Sequence, residues 1–337
     1  MAEQLNLFSW LGGNYKITKP IRLIELFAGI GAQHKALTIL GVPFESYKIC
    51  EWAYNSIIAY NYIHKRDFTD YSVGKTKDEL IAYLEGNIST DYNKPCDCRK
   101  KPLEWLKNAY NNCIATNNLM NIMKVKGKDL EIVDTDKYEY IMTYSFPCQD
   151  LSLAGKRKGM SISQAEGGTR SGLLWEVERI LTELSLSLSL PQILIMENVP
   201  EVVGAGAIDD FKKWELKLSE LGYTNHIQIL NAKHYGIPQN RKRCFMVSIL
   251  NGNFEFGGKM PLKYKLKDIL EDDVDEKYYL STDKWNRNKT LNETIEGKEL
   301  KDGDYIDAYN RKIKKGIANT ITTRVNASNE TFLVEIK

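Results

Sequence analysis

The sequence predicts an α/β protein with an open sheet, and three observations support this prediction. Short apolar segments typical of buried strands alternate along the chain with segments of helical periodicity. The first strand, residues 21–27, runs into Gly29 and Gly31 and then into a helix at residues 32–40. Several later strands end directly in polar or reactive residues, which is where an open α/β sheet places its chemistry.

The composition is that of a soluble globular protein with room for one large and one smaller domain. The chain has 337 residues, of which 43% are hydrophobic and 27% are charged. Its 46 basic and 44 acidic residues leave a net charge of +2, so binding to nucleic acid would require basic groups that are concentrated locally. No apolar run approaches the roughly 20 residues that span a membrane, and residues 1–15 lack the pattern of a signal peptide. Six scattered cysteines are typical of a reducing cytoplasm, where we expect the protein to act.

The strand, glycine turn and helix at residues 21–40 are typical of a nucleotide-binding unit, in which glycines let the backbone approach a ligand. Gly29 and Gly31 lack the third glycine of a pyrophosphate-binding turn, which favours a cofactor without a pyrophosphate. The second strand ends in Glu51 and Trp52. Glu51 lies at the spacing, about 20 residues after the turn, at which such a unit presents a carboxylate to ribose hydroxyls, and Trp52 is placed to cover an adenine face. A tight turn without a ligand and a tryptophan of the core are the alternatives.

Residues 65–127 predict a helical insertion, with helices at 77–84 and 103–123. Three cysteines in this region have spacings that match no usual zinc site, so no metal is predicted there: Cys96, Cys98 and Cys113. Asp129 follows the insertion, at the end of a third strand of the nucleotide-binding unit. An acid at this point is placed to accept a hydrogen bond from an adenine amino group.

Cys148 lies where the strand at residues 140–144 should end in a polar, basic loop. Pro147 fixes its own φ and favours extended geometry before it, so the approach to the cysteine should be stiff. A thiolate with a suitable partner is a nucleophile, whereas a buried free cysteine acts as a small hydrophobic residue. Both interpretations are open on this segment alone.

Two further groups of polar residues lie beside predicted strands. The strand at residues 193–196 ends in Glu197, for which a structural carboxylate is the alternative interpretation. Arg241 and Arg243 precede the strand at residues 244–250, and side chains two residues apart point to the same side of an extended segment. The remaining predicted elements are helices at 173–184 and 209–221 and a strand at 226–231.

Four motifs, in this order along the chain, resemble those of the DNA (cytosine-5) methyltransferases. They are Phe-Ala-Gly-x-Gly at residues 27–31, Pro-Cys-Gln at 147–149, Glu-Asn-Val at 197–199 and Gln-x-Arg-x-Arg at 239–243. The resemblance covers about residues 20–335, and some stretches look particularly like the mollicute CpG-type enzymes. It implies a Rossmann-like methyltransferase sheet with helices on both faces in residues 1–250 and a small, partial target-recognition domain in residues 251–337.

The resemblance also implies a mechanism on a cytosine that is flipped out of duplex DNA. Cys148 would add to carbon 6, which makes carbon 5 nucleophilic toward a methyl donor. Glu197 would stabilise or protonate N3 and would need a raised pKa for this role. Arg243 would bind the base carbonyl oxygen, and Arg241 would support the cysteine loop or a phosphate. The loop at residues 150–163 would close over the site.

The cofactor implied by the resemblance is S-adenosylmethionine. Phe27 would stack on the adenine, next to the turn formed by Gly29 and Gly31. Glu51 would hold the ribose hydroxyls, Trp52 would line the pocket and Asp129 would meet the adenine amine. The sequence suggests no metal.

The implied partner is double-stranded DNA that contains a cytosine target, with CG as the expected sequence. The basic segment at residues 311–315 and the nearby Thr320 resemble part of a target-recognition domain, although a basic run is often only a solvated face. A transfer RNA substrate is the less favoured alternative, because that branch of the family carries a further cysteine and none follows Cys244 here.

The chain departs from the family pattern at its C-terminal end. Two motifs that normally follow the recognition domain, an arginine-containing segment and a Gly-Asn-Ser helix, are not found in the sequence. One expectation is therefore a split enzyme whose second polypeptide supplies them. The other is an inactive remnant that binds DNA weakly.

Overall fold

The computed structural model describes residues 15–147, 170–271, 273–279, 281–308, 310–319 and 331–334. The chain divides into two compact units. Unit 1 comprises Met1–Gln228 and Cys244–Gly257, and unit 2 comprises Ile229–Arg243 and Gly258–Lys337. These units are defined by their compactness and not by function, and the predicted division into functional domains at residue 250 stays a prediction.

The described elements alternate between strands and helices, as an α/β fold requires. The strands are β1 (Ile21–Leu26), β2 (Phe44–Cys50), β3 (Glu139–Tyr144), β4 (Ile193–Asn198), β5 (Tyr223–Asn231), β6 (Gln239–Asn240), β7 (Lys242–Leu250), β8 (Asp304–Asp307), β9 (Lys312–Lys315), β10 (Ala318–Asn319) and β11 (Thr331–Leu333). The α-helices are α1 (Ala32–Ile39), α2 (Tyr54–Tyr60), α3 (Lys77–Leu84), α4 (Leu103–Ala115), α5 (Leu174–Leu186), α6 (Ile208–Glu220), α7 (Thr282–Arg287) and α8 (Lys289–Ile295).

Six strands form the main sheet in the order β2-β1-β3-β4-β7-β5. The first four are parallel, and β7 runs antiparallel to β4. The carboxyl ends of β1, β2, β3 and β4 therefore meet at one edge of the sheet. The predicted site residues Phe27, Glu51 and Glu197 lie at or directly after the ends of three of these strands. The predicted α/β fold is confirmed.

The two faces of the sheet have different cores. On β3, Tyr140, Met142 and Tyr144 belong to the larger core, which α5 and α6 cover with apolar side chains, whereas Ile141 belongs to the core of the opposite face. This alternation is the period of two that strands impose. The opposite face is covered by the segment that begins at Tyr15, by Leu37 of α1 and by aromatic side chains after β7.

The insertion between β2 and β3 has its own small core, built from α2, α3, α4 and three buried cysteines: Cys96, Cys98 and Cys113. Thr76 and Glu79 form a reciprocal capping box at the start of α3, which stabilises the N-terminus of that helix. Helix α2 continues into a π-helical turn at Asn61–Lys65. Among the residues that the structure describes, no cluster of His, Cys, Asp or Glu side chains is arranged to hold a metal ion.

The predicted helix at residues 103–123 is too long, because α4 ends at Ala115. Asn117 and Met120 then adopt positive φ, and the chain continues alongside β2. The backbone N–H of Leu119 donates to the carbonyl of Ile49, and that of Ile49 donates to the carbonyl of Asn117. Pairing with the edge of the sheet thus replaces the last two helical turns.

Unit 2 contains a three-stranded antiparallel sheet in the order β11-β8-β9, and β6 pairs in parallel with β10. Its small core includes Leu291 of α8, Ile306 of β8 and Ala308. Across the parts of the chain that the structure describes, no helix is both long and apolar enough to span a membrane.

Candidate functional site

The turn after β1 has an unusual backbone. Phe27, Gly29 and Gly31 have φ values of 57°, 55° and 80°, which lie in the left-handed region. Phe27 is not a glycine, so its conformation costs energy that the surrounding structure must supply, and such residues cluster at functional sites. Gly31 is required for a different reason, because a Cβ there would lie 2.4 Å from Nε2 of His64.

Glu51 holds this turn against the end of β2. Its Oε2 accepts a hydrogen bond from the backbone N–H of Gly29 at 2.8 Å, and its Oε1 accepts one from that of Ala53 at 2.7 Å. Burial raises the pKa of the carboxyl group, and the bonds from Ala53, Gly29 and Trp52 oppose that rise. The structure therefore places a half-buried carboxylate, held by two backbone N–H groups, at the end of β2.

A cavity of about 220 Å³ opens at this edge of the sheet. Its walls include four of the predicted cofactor-binding residues, Phe27, Gly29, Glu51 and Trp52. The other described lining residues are Cys50, Ser56, Tyr92, Met120, Asn121, Ile122, Met123, Ser145, Pro147 and Leu173. Gly31 and Asp129 are not among the described lining residues, so the structure does not bring them to this cavity.

The cavity fits an adenosyl cofactor by the chemistry of its walls. Phe27, Trp52 and the two methionines give apolar and aromatic surface for a purine. Glu51 supplies an acceptor for hydroxyl groups, and the Gly29 backbone approaches without a side chain. These groups match the requirements for a nucleoside without a pyrophosphate.

Asp129 forms a local hydrogen bond in the structure, and its contact with an adenine amine stays a prediction. It lies in the 3₁₀ turn Gly127–Leu130, and its carboxylate accepts a hydrogen bond from the backbone N–H of Lys126 at 2.9 Å. The cavity wall is instead built by Met120–Met123, where Asn121 donates to the carbonyl of Gly86 and accepts from the N–H of Met123. No apolar periodicity marks this wall, so the sequence does not predict it.

The segment that leads from β3 to Cys148 is held by three side chains. Ser145 accepts a hydrogen bond from Gln33 at 3.2 Å. The carbonyl of Phe146 accepts one from buried Asn198 at 3.1 Å, and the carbonyl of Pro147 accepts one from Ser171 at 2.9 Å. Cys148 itself and the predicted closing loop at residues 150–163 lie outside the described residues. The approach to Cys148 is thus fixed by hydrogen bonds as well as by the proline.

The five described cysteines are free and buried: Cys50, Cys96, Cys98, Cys113 and Cys244. Burial raises the pKa of Cys50 well above its usual value and raises that of Cys113 to about 12. Burial, together with the charge of Glu197, raises the pKa of Cys244 to about 11. These three thiols stay protonated near neutral pH and are poor nucleophiles.

Glu197 is the fifth residue of β4 and pairs across the sheet with Phe245 of β7. It precedes Asn198, the residue that holds the Phe146 carbonyl. Arg241 and Arg243 belong to unit 2, where the Arg241 carbonyl accepts from the N–H of Ala232 at 3.0 Å. The placement of both arginines around a substrate base stays a prediction.

A polar cluster lies beneath the glycine turn, with Glu25 and Tyr60 buried and His34 and His64 half-buried, and no pattern in the sequence predicts it. Tyr60 donates to Glu25 at 2.5 Å, the backbone N–H of His34 donates to the same carboxyl group at 3.2 Å, and His34 contacts His64 with ring centroids 4.1 Å apart. Burial raises the pKa of Glu25 to about 7, against the hydrogen bonds from Tyr60 and His34 and the charge of Lys65. Burial, with the charges of His64 and Lys65, lowers the pKa of His34 to about 4.

We expect Glu25→Gln to change how the stability of the protein depends on pH. Between about pH 4.5 and 7 the folded chain keeps a proton on Glu25 that the unfolded chain has released. The contribution of Glu25 to the free energy of unfolding therefore falls as pH rises, by about 3 kcal/mol over this range. His34 has the opposite effect on the free energy of unfolding. Below its usual pKa of 6.5 the unfolded chain gains a proton on this residue, whereas the folded chain lacks that proton down to about pH 4. Removing the Glu25 contribution should leave a variant whose stability rises from pH 4 to 6.5.

Urea unfolding at pH 5 and pH 8 measures this effect. The difference in stability between variant and wild type should shift by about 3 kcal/mol in favour of the variant at pH 8. Glu131→Gln is the matched control, since that side chain is 60% exposed. Parallel pH profiles of Glu25→Gln and wild type would contradict the assignment.

Unit 2 contains a second, polar cavity of about 460 Å³. Its described lining residues are Asn240, Asp307, Asn310, Lys312, Lys314 and Asn319. Strand β9 divides its side chains between two environments, because Ile313 packs on the small core and Lys315 forms an ion pair with Asp304 at 2.6 Å, whereas Lys312 and Lys314 line the cavity. The alternation of side chains along β9 thus brings two lysine ammonium groups into a cavity that asparagine amides also line.

Comparisons with known proteins give consistent results. Residues 101–334 match the family described as C-5 cytosine-specific DNA methylase. The type II methyltransferase M2.ScrFI of Lactococcus lactis subsp. cremoris is 38% identical over 282 residues, which cover 82% of this chain and 74% of that protein. The orphan methyltransferase M.SssI of Spiroplasma monobiae is 37% identical over 275 residues, which cover 78% of this chain and 68% of that protein. The solved structure of the Entamoeba histolytica methyltransferase EhMeth covers 81% of this chain and 67% of that chain with a TM-score of 0.50 at 16% identity, which shows the fold alone.

Proposed function

The chain belongs to the C-5 cytosine-specific DNA methylase family, and from this premise we propose that it transfers a methyl group from S-adenosylmethionine to carbon 5 of cytosine in duplex DNA. One observation carries the proposal. The cavity that contains Glu51 and Phe27 is also lined by Ser145 and Pro147, and Pro147 directly precedes Cys148. A site for the cofactor and the approach to the nucleophile therefore share one cavity.

Cys148 is the proposed nucleophile. Its thiolate adds to carbon 6 of a flipped cytosine, and the π electrons of the 5,6 double bond shift toward carbon 4 and N3, which gives an enamine with a nucleophilic carbon 5. Carbon 5 takes the methyl group, and S-adenosylhomocysteine is the leaving group. A proton then leaves carbon 5, and the thiolate is eliminated. This choice is supported by the properties of three other cysteines. Cys50, Cys113 and Cys244 are buried thiols with raised pKa values, which makes them poor nucleophiles.

Glu197, Arg241 and Arg243 are the proposed stabilising residues. Glu197 protonates or hydrogen-bonds N3 as charge develops on the ring. Arg243 binds the carbonyl oxygen of the base, and Arg241 supports the cysteine loop or a phosphate. The position of Glu197 next to Asn198, which holds the Phe146 carbonyl, supports a role beside Cys148.

Four residues are proposed to bind the cofactor, which supplies the electrophilic methyl group. Phe27 stacks on the adenine, Trp52 lines the pocket, Glu51 accepts from the ribose hydroxyls and Gly29 gives room for close approach. The cavity and the two backbone hydrogen bonds to Glu51 support these roles. Two further residues keep their proposed places in the cofactor site: Gly31 shapes the turn, where the absence of a Cβ leaves room for His64, and Asp129 meets the adenine amine.

Double-stranded DNA is the proposed partner, and the cytoplasm is the proposed location. The polar cavity of unit 2 supports a DNA contact, because Lys312 and Lys314 can pair with phosphate, and the asparagine amides can donate to and accept from base edges. The five cysteines that the structure describes are free, as is typical of a reducing compartment.

A second polypeptide remains a proposed partner. Helix α1 has no buried residue among the described residues, although α/β helices normally bury one face. Ile30 and Ile39, beside and on this helix, are 56% and 73% exposed. Exposed apolar side chains next to the cofactor turn favour association with another chain.

A methyl-transfer assay tests these proposals together. Purified protein, labelled S-adenosylmethionine and equal amounts of duplex DNA and transfer RNA should give label in DNA alone, and bisulfite sequencing should place it at CG in every flanking context. Label in RNA would overturn the substrate, and a longer consensus would overturn CG. Methylation by the chain alone would make the second polypeptide unnecessary, whereas no label in either substrate would contradict independent activity.

A further inference from the structure

Tyr92 combines two features that no role described so far explains. It lines the cavity that holds Phe27, Glu51 and Trp52, and its backbone has a φ of 64°. An aromatic residue in the left-handed region is disfavoured, by contrast with glycine or asparagine. Such a conformation persists only where the surrounding structure imposes it.

The turn that imposes this conformation is anchored to the cofactor cavity. The N–H of Ser89 donates to the carbonyl of Trp52 at 2.7 Å, and the N–H of Tyr54 donates to the carbonyl of Ser89 at 2.8 Å. Asp91 accepts hydrogen bonds from the backbone N–H groups of Asn93 and Lys94 at 2.9 and 3.1 Å. The insertion is thus joined to the segment directly after Glu51, and Tyr92 is carried to the cavity by a rigid turn.

The Tyr92 side chain is not part of a core. It is 51% exposed, so its ring contributes little buried surface to folding. The cavity wall that it shares with Phe27 and Trp52 offers aromatic faces to a planar ligand. A half-exposed ring at the edge of such a wall gains its remaining burial only when a ligand is bound.

We propose that Tyr92 is a cofactor-binding residue, which the helical insertion contributes and which covers the adenosyl group of S-adenosylmethionine. This inference rests on the proposed function. According to this proposal, the helical insertion contributes to the cofactor site together with the residues on either side of the insertion in the sequence. The contact is made by the ring, so the phenol hydroxyl is dispensable.

The test is the affinity for S-adenosylmethionine, measured by titration calorimetry with the whole chain. Tyr92→Gly removes the ring and relieves the backbone, so its dissociation constant should rise about 10-fold while its melting temperature stays equal to or above that of wild type. Tyr92→Phe should bind within about twofold of wild type. Tyr264→Ala is the matched control, because Tyr264 is also half exposed, at 57%, and is not among the described lining residues of this cavity.

The outcomes separate this inference from the proposed function. A wild-type chain that binds the cofactor and a Tyr92→Gly variant that binds it equally well would overturn the role of Tyr92 alone. An equal loss in Tyr92→Gly and Tyr264→Ala would also overturn it, because the effect would not be specific to the cavity. A wild-type chain that does not bind the cofactor would overturn the proposed cofactor, and this inference with it.

Discussion

Cys148→Ser is expected to abolish methyl transfer, with a loss of more than about 10³-fold in turnover. A serine hydroxyl is not ionised near neutral pH and adds poorly to carbon 6, so carbon 5 never becomes nucleophilic. Cofactor affinity should be unchanged, because the substitution leaves the proposed cofactor contacts of Phe27, Glu51 and Trp52 in place. Labelled methyl transfer and titration calorimetry measure the two quantities on the same preparation.

A covalent trap makes this prediction sharper. DNA with 5-fluorocytosine at the target has no proton to lose from carbon 5, so elimination of the thiolate is blocked and a protein–DNA adduct should accumulate in wild type. Cys148→Ser should give none. Cys113→Ala is the matched control, since Cys113 is a buried thiol in the core of the insertion and its variant should form the adduct. An adduct in Cys148→Ser would exclude this residue as the nucleophile.

Much of unit 1 follows from local patterns in the sequence. The glycine turn, the strands that correspond to β1, β2, β3, β4, β5 and β7, and the helices α1, α3, α5 and α6 all appear within a few residues of their expected bounds. The third strand that was expected to end at Asp129 does not form, because Gly127–Leu130 is a 3₁₀ turn. Their signals are short-range, namely apolar runs and helical periodicity. The resemblance to DNA (cytosine-5) methyltransferases, drawn from four motifs, is confirmed by the family match and by the two curated relatives.

The parts that were missed depend on contacts between distant segments. The wall at Met120–Met123 exists because the chain leaves α4 and pairs with β2, and neither glycine nor proline marks that point. Gly31 packs against His64, 33 residues further along the chain, so closely that a Cβ would clash, and no local pattern predicts this contact. Tyr92 reaches the cavity through a turn that is anchored on Trp52. Local patterns contain no information on such pairs.

Glu51→Gln is expected to weaken the binding of S-adenosylmethionine about 100-fold. The change keeps the volume of the side chain but replaces one acceptor oxygen with an NH₂ group. Both carboxylate oxygens face backbone N–H groups, those of Gly29 and Ala53, so one of these donors loses its partner whichever way the amide is turned. The ribose hydroxyls also lose a charged acceptor, and a hydrogen bond to a charged group contributes about 1.5–3 kcal/mol.

Titration calorimetry of Glu51→Gln, with the melting temperature measured alongside, tests this role. Glu131→Gln is the control, because Glu131 is an exposed carboxylate, paired with Lys48 at 3.0 Å, and its variant should bind the cofactor as wild type does. The Glu51 variant should also lose the pH dependence of cofactor affinity that titration of this carboxyl group causes, because the raised pKa makes the ionised, accepting form dominant only as pH rises. If Glu51→Gln binds with the wild-type constant at every pH, the ribose is held elsewhere and the carboxylate serves only to fix the glycine turn.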